Sequence, residues 1–477
     1  MLEIAEKDIL NSLLRDNPWW GDTAYKSQEF AHKRAYFFAF SELSLDWKIR
    51  RAVILMGPRR VGKTVMLRQL VDRAIELGTP PDRILFASID TPLYSGMPLL
   101  RLLDLFQQQT GHTPDERRIV IFDEVQYLKD WEVHLKVLTD QYPNTRFIAS
   151  GSAAAALRLK SHESGAGRFT DFFLPPLTFA EFLQFRDLET DLIVALTGSA
   201  ERRFQASDIV ELNKAFVDYL NFGGYPEAVL NKTIQNNVGR FLGRDIIDKV
   251  LLRDLPSLYG IQDIQELNRL FTTIAYHSGQ EISLEGLASS SGVAKNTINR
   301  YLEYLEAAFL IVRVRRVDDT GKTFQRMRQF KVYLTNPSMR AALFAPIDAD
   351  DAAMGNMAET AIFSQWFHSD QMAYIHYARW RSGKQDREVD IVQVNPATLR
   401  PTWAYEVKWS DRFLDQPGEL EGLIEFAQKN MSQNLPVGAS TRTLTGESSV
   451  DGVTIRHFPC AVHCYQIGKN VIEGRPI

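Results

Sequence analysis

Short apolar runs alternate with helical patterns along the first third of the chain. The runs lie at 52–56, 84–90, 118–122 and 145–152, and the segments between them repeat apolar residues at helical spacing. Strands that are apolar on both faces are typical of a parallel sheet covered by helices. The pattern therefore predicts an α/β fold that binds its ligand at the carboxyl ends of the strands.

A glycine-rich turn follows the first apolar run. It has the spacing G-x-x-x-x-G-K-[ST] from Gly57 to Thr64 and stands between a strand and a helix, as a phosphate-binding loop requires. Backbone N–H groups and the positive helix start would bind phosphates, with Lys63 at the β- and γ-phosphates and Thr64 on Mg²⁺. The predicted nucleotide-binding residues are Gly57, Pro58, Arg59, Arg60, Val61, Gly62, Lys63, Thr64 and Val65.

Two carboxylates end the apolar run at 118–122. We expect Asp123 to hold Mg²⁺ through water and Glu124 to polarise the water that attacks the γ-phosphate. Ser150, at the end of the fourth run, is a candidate sensor of the γ-phosphate. An acidic pair at the end of a strand often does no more than face solvent. The glycine-rich turn at Gly57 favours a catalytic role for this pair instead. The sequence therefore predicts ATP hydrolysis with ATP and Mg²⁺ as cofactors.

This arrangement resembles the AAA-type P-loop ATPases that carry an extra strand between the two Walker motifs. The segments 167–169 and 174–182 resemble one bacterial and archaeal branch of them. In such families an arginine after the fourth strand reaches a nucleotide in the same or the neighbouring subunit, and Arg168 is the candidate. A salt bridge on a surface hairpin is an equally good interpretation of Arg168.

A helix, glycine turn, helix pattern at 282–305 precedes a basic segment at 311–331. Together they are typical of a winged-helix domain, with 319–322 as the turn of the wing. The alternative is a domain that serves only as a packing module. The predicted DNA-binding residues are Lys295, Asn296, Asn299, Arg300, Arg313, Arg315, Arg316, Lys322, Arg326 and Arg328.

The last third contains Glu359, Asp390, Glu406 and Lys408 in the order E…D…E-x-K. Asp390 and Glu406 could hold one Mg²⁺, Lys408 could position a water, and Glu359 could complete the acidic cluster. This order resembles the PD-(D/E)xK restriction-endonuclease-like superfamily, although Val389 stands where a proline is common. An ordinary cross-strand ion pair and a degenerate domain that only binds DNA remain alternatives.

Composition limits the partners. A net charge of −4 and a pI near 6.2 give no global attraction for nucleic acid, so a DNA contact has to be local. No apolar run approaches the about 18 residues of a membrane span, and no leader begins the chain, so we expect no membrane contact and a cytoplasmic location. The cysteines, Cys460 and Cys464, fit a reducing compartment.

The whole order resembles a group of prokaryotic AAA-type ATPases with a C-terminal domain of unassigned function. That resemblance implies ATP hydrolysis, a hexamer-like ring and action on DNA, as a translocase or remodeller with possible Mg²⁺-dependent cleavage. The alternative is a signalling-type switch with a silent nuclease-like domain; a protein-remodelling chaperone would need a substrate-binding domain that is not visible. The predicted domains are an N-terminal helical segment 1–47, the ATPase core 48–185, a helical lid 186–270, a winged helix 271–345 and a nuclease-like domain 346–477.

Overall fold

The four apolar runs at the start of the chain form strands in the computed structural model of the protein. The structure describes residues 6–21, 31–94, 96–113, 115–151, 167–196, 203–323, 329–367, 369–431 and 435–475. Arg326 and Arg328, two predicted DNA-binding residues, lie outside the described residues, as does Ser152 of the fourth predicted run. The chain divides into two units, Met1–Pro175 and Pro176–Ile477.

The first unit is built on a parallel sheet. Its strands are β1 (Ala52–Met56), β2 (Ile84–Ser88), β3 (Arg118–Asp123), β4 (Thr145–Gly151) and β5 (Phe169–Phe173). Among the described residues they pair in the order β2-β3-β4-β1-β5, and each pair is parallel. The predicted parallel α/β fold is therefore confirmed. The fifth strand was not predicted.

Helices and short turns surround this sheet. The helices are α1 (Glu6–Asp16), α2 (Phe37–Leu45), α3 (Lys63–Glu76), α4 (Leu99–Thr110) and α5 (Trp131–Gln141). The 3₁₀ turns are Pro18–Trp20, Pro81–Arg83, Pro92–Tyr94 and Val125–Tyr127. Asn17, in the predicted N-terminal segment, accepts a 2.6 Å hydrogen bond from Phe86 N and donates one of 2.9 Å to Phe86 O. The start of the chain therefore completes the hydrogen bonding of strand β2.

The second unit begins with helices. They are α6 (Phe179–Phe185), α7 (Glu189–Leu192), α8 (Ile209–Phe222), α9 (Pro226–Leu230), α10 (Lys232–Gln235), α11 (Leu255–Tyr259) and α12 (Ile264–Tyr276). A hairpin of β6 (Ile193–Leu196) and β7 (Arg203–Ala206) interrupts them, and wide π-helical turns occupy Gly239–Asp248 and Val250–Asp254.

Helix α6 packs against the helices of the second unit. Thr178 caps the helix through the N–H of Glu181, and Phe179 packs its ring against Phe216 and Tyr219 of α8. These aromatic contacts place α6 in the second unit, so the first unit ends at Pro175.

The remainder of the second unit is organised by one large mixed sheet. Its strands are β8 (Glu281–Ser283), β9 (Ile311–Val317), β10 (Gln329–Leu334), β11 (Ile375–Ser382), β12 (Gln385–Val394), β13 (Pro401–Glu406), β14 (Val437–Thr441), β15 (Gly446–Val450) and β16 (Val453–Pro459). The helices are α13 (Leu284–Ser291), α14 (Lys295–Ala307), α15 (Ser338–Leu343), α16 (Met354–Trp366), α17 (Arg412–Asp415), α18 (Glu421–Lys429) and α19 (Cys460–Ile472). 3₁₀ turns lie at Asp370–Tyr374 and Pro417–Glu419.

Strand order shows how the second unit is joined. In the described part of the chain the sheet runs β15-β16-β14-β13-β12-β11-β9-β10-β8. Strand β9 pairs with β10 on one side and, in parallel, with β11 on the other, where Tyr377 lies opposite Arg316. The predicted winged-helix and nuclease-like segments thus share a single sheet. No described helix combines the length and apolar character needed to cross a membrane.

Candidate functional site

The glycine-rich turn connects β1 to α3 at the centre of the first sheet. A Cβ at Gly57 would overlap the carbonyl oxygen of Leu174, so a side chain at this position is excluded by close backbone approach. Gly62 has a φ of 96°, a left-handed conformation that favours glycine. Helix α3 begins directly afterwards at Lys63. The turn therefore has the backbone geometry that a phosphate-binding loop needs.

Lys63 is folded into this turn. Its Nζ donates hydrogen bonds of 3.1 Å to Gly57 O and 2.8 Å to Pro58 O, and the residue is buried. A lysine ammonium can make three such bonds and carries the charge that phosphate oxygens attract. Lys63 thus stands inside the loop, where the sequence predicted it.

Thr64 and Asp123 meet at the carboxyl end of the sheet. Thr64 Oγ1 donates a 2.7 Å hydrogen bond to Asp123 Oδ2, and Asp123 is 1 % exposed. Burial and the neighbouring charge of Glu124 raise the pKa of Asp123. A hydroxyl beside a carboxylate is a hard oxygen pair of the kind that Mg²⁺ accepts, with its other positions left to phosphate and water. The residues present therefore fit the predicted ion.

Ser150 holds both acidic residues of this site. Its hydroxyl donates to Asp123 Oδ1 and accepts a 3.2 Å hydrogen bond from the N–H of Glu124. Glu124 has a left-handed φ of 56°, and Gln126 donates from Nε2 to its carboxylate. Ser150 is thus placed to fix the Asp123 carboxylate and the backbone of Glu124, as well as to sense a phosphate. Sequence reasoning missed Gln126.

Arg168 lies at the opposite end of the sheet from the glycine-rich turn. Strand β5 pairs with β1 so that Phe169 faces Ala52 and Phe173 faces Met56, and Arg168 precedes this register. Strand rise is about 3.3 Å per residue, so roughly 15 Å of strand separates Arg168 from the turn. Its Nε lies 2.5 Å from Asp140 Oδ1. Arg168 therefore lies far from the turn of its own subunit and forms a surface ion pair, as in the alternative interpretation.

Arg34 is a contact of the turn that sequence reasoning missed. It is buried, and it donates 2.7 Å and 2.8 Å hydrogen bonds to the carbonyl oxygens of Val61 and Pro175. It therefore fixes the turn to the chain that follows β5. The sequence around Arg34 contains no motif that indicates such a contact.

The second unit brings together the four residues predicted for a nuclease-like site. Glu359 comes from α16, Asp390 from β12, and Glu406 and Lys408 from the end of β13, and the three carboxylates are buried. Lys408 Nζ lies 2.9 Å from Glu406 Oε2 and 3.5 Å from Asp390 Oδ2. Lys408 lies two residues beyond the end of β13, and its hydrogen bond to Glu406 brings the two side chains together.

Lys331 of β10 also lies in this cluster and was not predicted there. Its Nζ is 2.8 Å from Glu359 Oε1, 2.7 Å from Glu388 Oε1 and 3.2 Å from Asp390 Oδ1. In the sequence, Lys331 is the last residue of the basic segment at 311–331. Its partners lie 28 and 59 residues further along the chain, beyond the range of any local pattern.

Burial and charge act together on the ionisation of these groups. Burial, with the charge of Asp390, raises the pKa of Glu359 to about 7 and that of Glu406 well above its usual range. Burial opposes ionisation of Asp390 too, but Lys408 and Lys331 outweigh it and hold the pKa of Asp390 below its usual range. The lysines thus stabilise the ionised form of Asp390, whereas burial and the charge of Asp390 favour the protonated forms of Glu359 and Glu406.

The predicted Mg²⁺ site at Asp390 and Glu406 does not fit this geometry. Asp390 Oδ1 is bound to Lys331, while Oδ2 accepts 2.9 Å from the N–H of Val407 and faces Lys408. Across the described residues, no group of three or more His, Cys, Asp or Glu side chains is arranged to hold a metal ion. The physical reason is that ammonium groups occupy the oxygens a metal would need.

The predicted DNA-binding residues fall into two groups. Lys295, Asn296, Asn299 and Arg300 are exposed on α14, and Arg315 and Lys322 are exposed on the hairpin. Arg313 is paired with Glu306. Arg316 donates 2.8 Å to the carbonyl of Arg379 and 2.7 Å to Gln329 Oε1.

The turn after β9 contacts the C-terminal part of the unit. Asp318 and Lys322 close it with a 3.0 Å hydrogen bond from Asp318 N, as a hairpin turn was predicted to do. Asp319 Oδ2 pairs with Lys429 Nζ at 2.6 Å, and its carbonyl accepts from Asn430. The turn is therefore bound to the end of α18.

Two family matches cover different parts of the chain. Residues 49–183 match a family described as AAA domain, and residues 213–351 match one described as Domain of unknown function (DUF8612). The first match spans the phosphate-binding turn, both acidic residues and β5. It supports an AAA-type P-loop ATPase domain in this part of the chain.

Curated relatives share the sequence at low identity. An uncharacterized protein of Haemophilus influenzae is 24% identical over 320 residues, 65% of this chain and 72% of that protein. One from Methanocaldococcus jannaschii is 25% identical over 325 residues, 66% and 67% of the two chains. One from Mycobacterium tuberculosis is 27% identical over 359 residues, 72% and 69%.

Solved structures of AAA-type proteins also align with the chain. Cdc6p from Pyrobaculum aerophilum has a TM-score of 0.29 at 13% identity, covering 71% of this chain and 96% of that one. Replication initiator DnaA bound to AMPPCP and single-stranded DNA has a TM-score of 0.29 at 12% identity, covering 60% and 92%. Similarity of this size does not establish a shared ligand or activity.

Proposed function

We propose that this protein hydrolyses ATP at the carboxyl end of β1 and β3 and uses the turnover to act on DNA. The observation that carries the first half is the bond between Thr64 and Asp123, with Lys63 inside the turn and Glu124 beside it. These residues belong to separate segments, and ATP hydrolysis requires them in one place.

Each residue has a role in this proposal. Lys63 and the N–H groups of the turn bind the phosphates and offset their charge. Thr64 and Asp123 would hold Mg²⁺, which when bound neutralises phosphate oxygens. Glu124 polarises the attacking water, and Ser150 keeps Asp123 and Glu124 in position through its two hydrogen bonds. Residue positioning of this kind is the main protein contribution to phosphoryl transfer.

DNA is the proposed partner because of the exposed surface of α14. Lys295, Asn296, Asn299 and Arg300 present two cations and two amides on the helix that follows the glycine turn. Cations suit phosphates, and amides suit base edges, so the surface has the chemistry of a recognition helix. A homo-oligomeric, hexamer-like ring is part of the proposal, with Arg168 supplied to the nucleotide of a neighbouring subunit.

A second candidate function is a regulatory switch that neither moves along DNA nor cleaves it. The observation that favours it is the turn at 318–322, which is bound to Lys429 and Asn430. A wing held in this way has less surface to offer a DNA groove. In this candidate, ATP turnover would rearrange protein contacts instead.

Steady-state ATP turnover distinguishes these functions. It is measured without DNA and with single strands, duplex, fork and four-way junction, with Lys63→Ala as the blank and exposed Lys129→Ala as the matched control. We expect turnover in the wild type and in Lys129→Ala, its loss in Lys63→Ala, and stimulation by one DNA form. ATP turnover retained in Lys63→Ala would rule out the proposed ATPase site. Equal turnover rates with every DNA form would favour the regulatory switch.

A further inference from the structure

The ammonium of Lys331 is surrounded by carboxylates. Its side chain is 2 % exposed, and Nζ lies within 2.7–3.2 Å of oxygens of Glu388, Glu359 and Asp390. Tyr333, two residues along the same strand, donates a 2.5 Å hydrogen bond to Glu359 Oε1. Lys331 is therefore a buried member of the cluster, unlike the exposed basic residues of the hairpin.

The partners of Lys331 match its bonding capacity. An ammonium has three N–H donors, and three carboxylates accept them. Carboxylate oxygens gathered around one point are also what a divalent cation binds. The lysine thus satisfies the same oxygens that would otherwise be available to a metal.

The fold fixes this position. Strand β10 is paired on both sides, with β9 and β8, so the backbone of Lys331 is held in place by two ladders. Lys331 and Tyr333 point to one face of the strand because side chains alternate. Helix α16 covers that face, with Phe363 stacked on Tyr333 at a ring distance of 4.0 Å, and it carries Glu359 into the cluster.

We propose that Lys331 takes the place of a divalent cation among Glu359, Glu388 and Asp390, so that the second unit excludes Mg²⁺ there. A metal ion at Asp390 would stand beside two ammonium groups, those of Lys331 and Lys408, and their like charges repel it. This inference concerns the second unit and does not depend on ATP hydrolysis in the first.

The inference is tested by measuring metal binding directly, without an activity assay. Mn²⁺ binding to the nucleotide-free full chain is measured by electron paramagnetic resonance in the wild type and in Asp390→Asn. We expect the two titrations to coincide, because Asp390 holds no metal. A bound Mn²⁺ present in the wild type and absent in Asp390→Asn would overturn the inference.

A second set of variants tests the role of the lysine charge. Lys331→Met is expected to gain an Mn²⁺ site whose affinity exceeds that of the wild type at least roughly tenfold, because a like charge a few ångströms away is gone. Adding Asp390→Asn to Lys331→Met should remove the gain, and Lys331→Arg, which keeps the charge, should not show it.

Either of two results here would overturn the inference. One is a folded Lys331→Met, by circular dichroism, that gains no Mn²⁺. The other is an equal gain in Lys331→Arg, since the charge would then not be what excludes the metal. If Lys331→Met does not fold, the comparison of the wild type with Asp390→Asn decides the question alone.

Discussion

The hydroxyl of Thr64 and the carboxylate of Asp123 lie 59 residues apart in the chain and are joined by a 2.7 Å hydrogen bond. The bond links the phosphate-binding turn to the neighbouring acidic strand. It is the kind of hydroxyl and carboxylate pair that holds Mg²⁺ in P-loop enzymes.

Thr64→Val should lower ATP turnover by about a hundredfold, the usual effect of removing one group that stabilises charge in a transition state. Thr64→Ser keeps the hydroxyl and should retain most of the rate. Turnover as a function of Mg²⁺ concentration is the measurement, and the valine variant should need more Mg²⁺. Equal rates for serine and valine would show that the hydroxyl is not used.

Ser150→Ala should reduce the turnover number with little change in ATP affinity. The hydroxyl bonds Asp123 and the N–H of Glu124, so its loss disturbs the acidic residues that act in catalysis. Binding of ATP and ADP is compared in the wild type and the variant. If the variant loses its preference for ATP over ADP, Ser150 senses the γ-phosphate as first expected.

Replacing Lys295, Arg300 and Arg315 by alanine should weaken DNA binding, because these three cations are exposed. If each contacts one phosphate, the slope of log affinity against log salt falls by roughly 2 to 3. The control replaces exposed Lys232, Arg381 and Lys384, which changes net charge equally. Equal losses in both variants would mean that only overall charge matters.

His463 should make the protein less stable in acid. It is half-buried, stacks on Tyr405 with ring centroids 4.0 Å apart, and its Nε2 has no hydrogen-bond partner in the described part of the chain. Burial lowers its pKa from 6.5 to about 3. Between these two pKa values the unfolded chain binds a proton that the folded chain does not. The free energy of unfolding therefore decreases by about 1.4 kcal/mol for each unit by which the pH is lowered.

Urea unfolding of wild type and His463→Phe at several pH values between 7 and about 4 measures this effect. The phenylalanine keeps the ring contact but cannot bind a proton, so its stability should fall less steeply in acid. His277→Phe, at a half-buried position of the same unit, is the matched control. A wild-type slope shared by His463→Phe would contradict the prediction.

Local pattern predicted the strands that carry the residues of the first site. The strand before Gly57, the turn itself and the acidic end of β3 each lie within a few residues, where period and motif are informative. Asp123 and Glu124 could be placed at the same edge as Lys63 because parallel strands present their carboxyl ends together. Arg34 could not be placed, since its partners are 27 and 141 residues away.

The second unit shows where local pattern fails. Strand alternation along β9 separates Val314, which is buried, from Arg315, which is exposed. It could not show that Arg316 pairs with the strand of Arg379 or that Asp319 meets Lys429, 110 residues later. Lys331 was misjudged for the same reason: a lysine in a basic segment looks solvated until its distant carboxylates are known.

The contacts of Lys331 also limit where the gene of this protein could be divided and recombined. The border once predicted at 345 and 346 separates Lys331 from Glu359 and Asp390, and β9 from β11. A gene exchange at that border would leave buried acids without their cations and open a sheet. The two segments should therefore be inherited together, and a substitution at Lys331 should persist only with a matching change among its carboxylates.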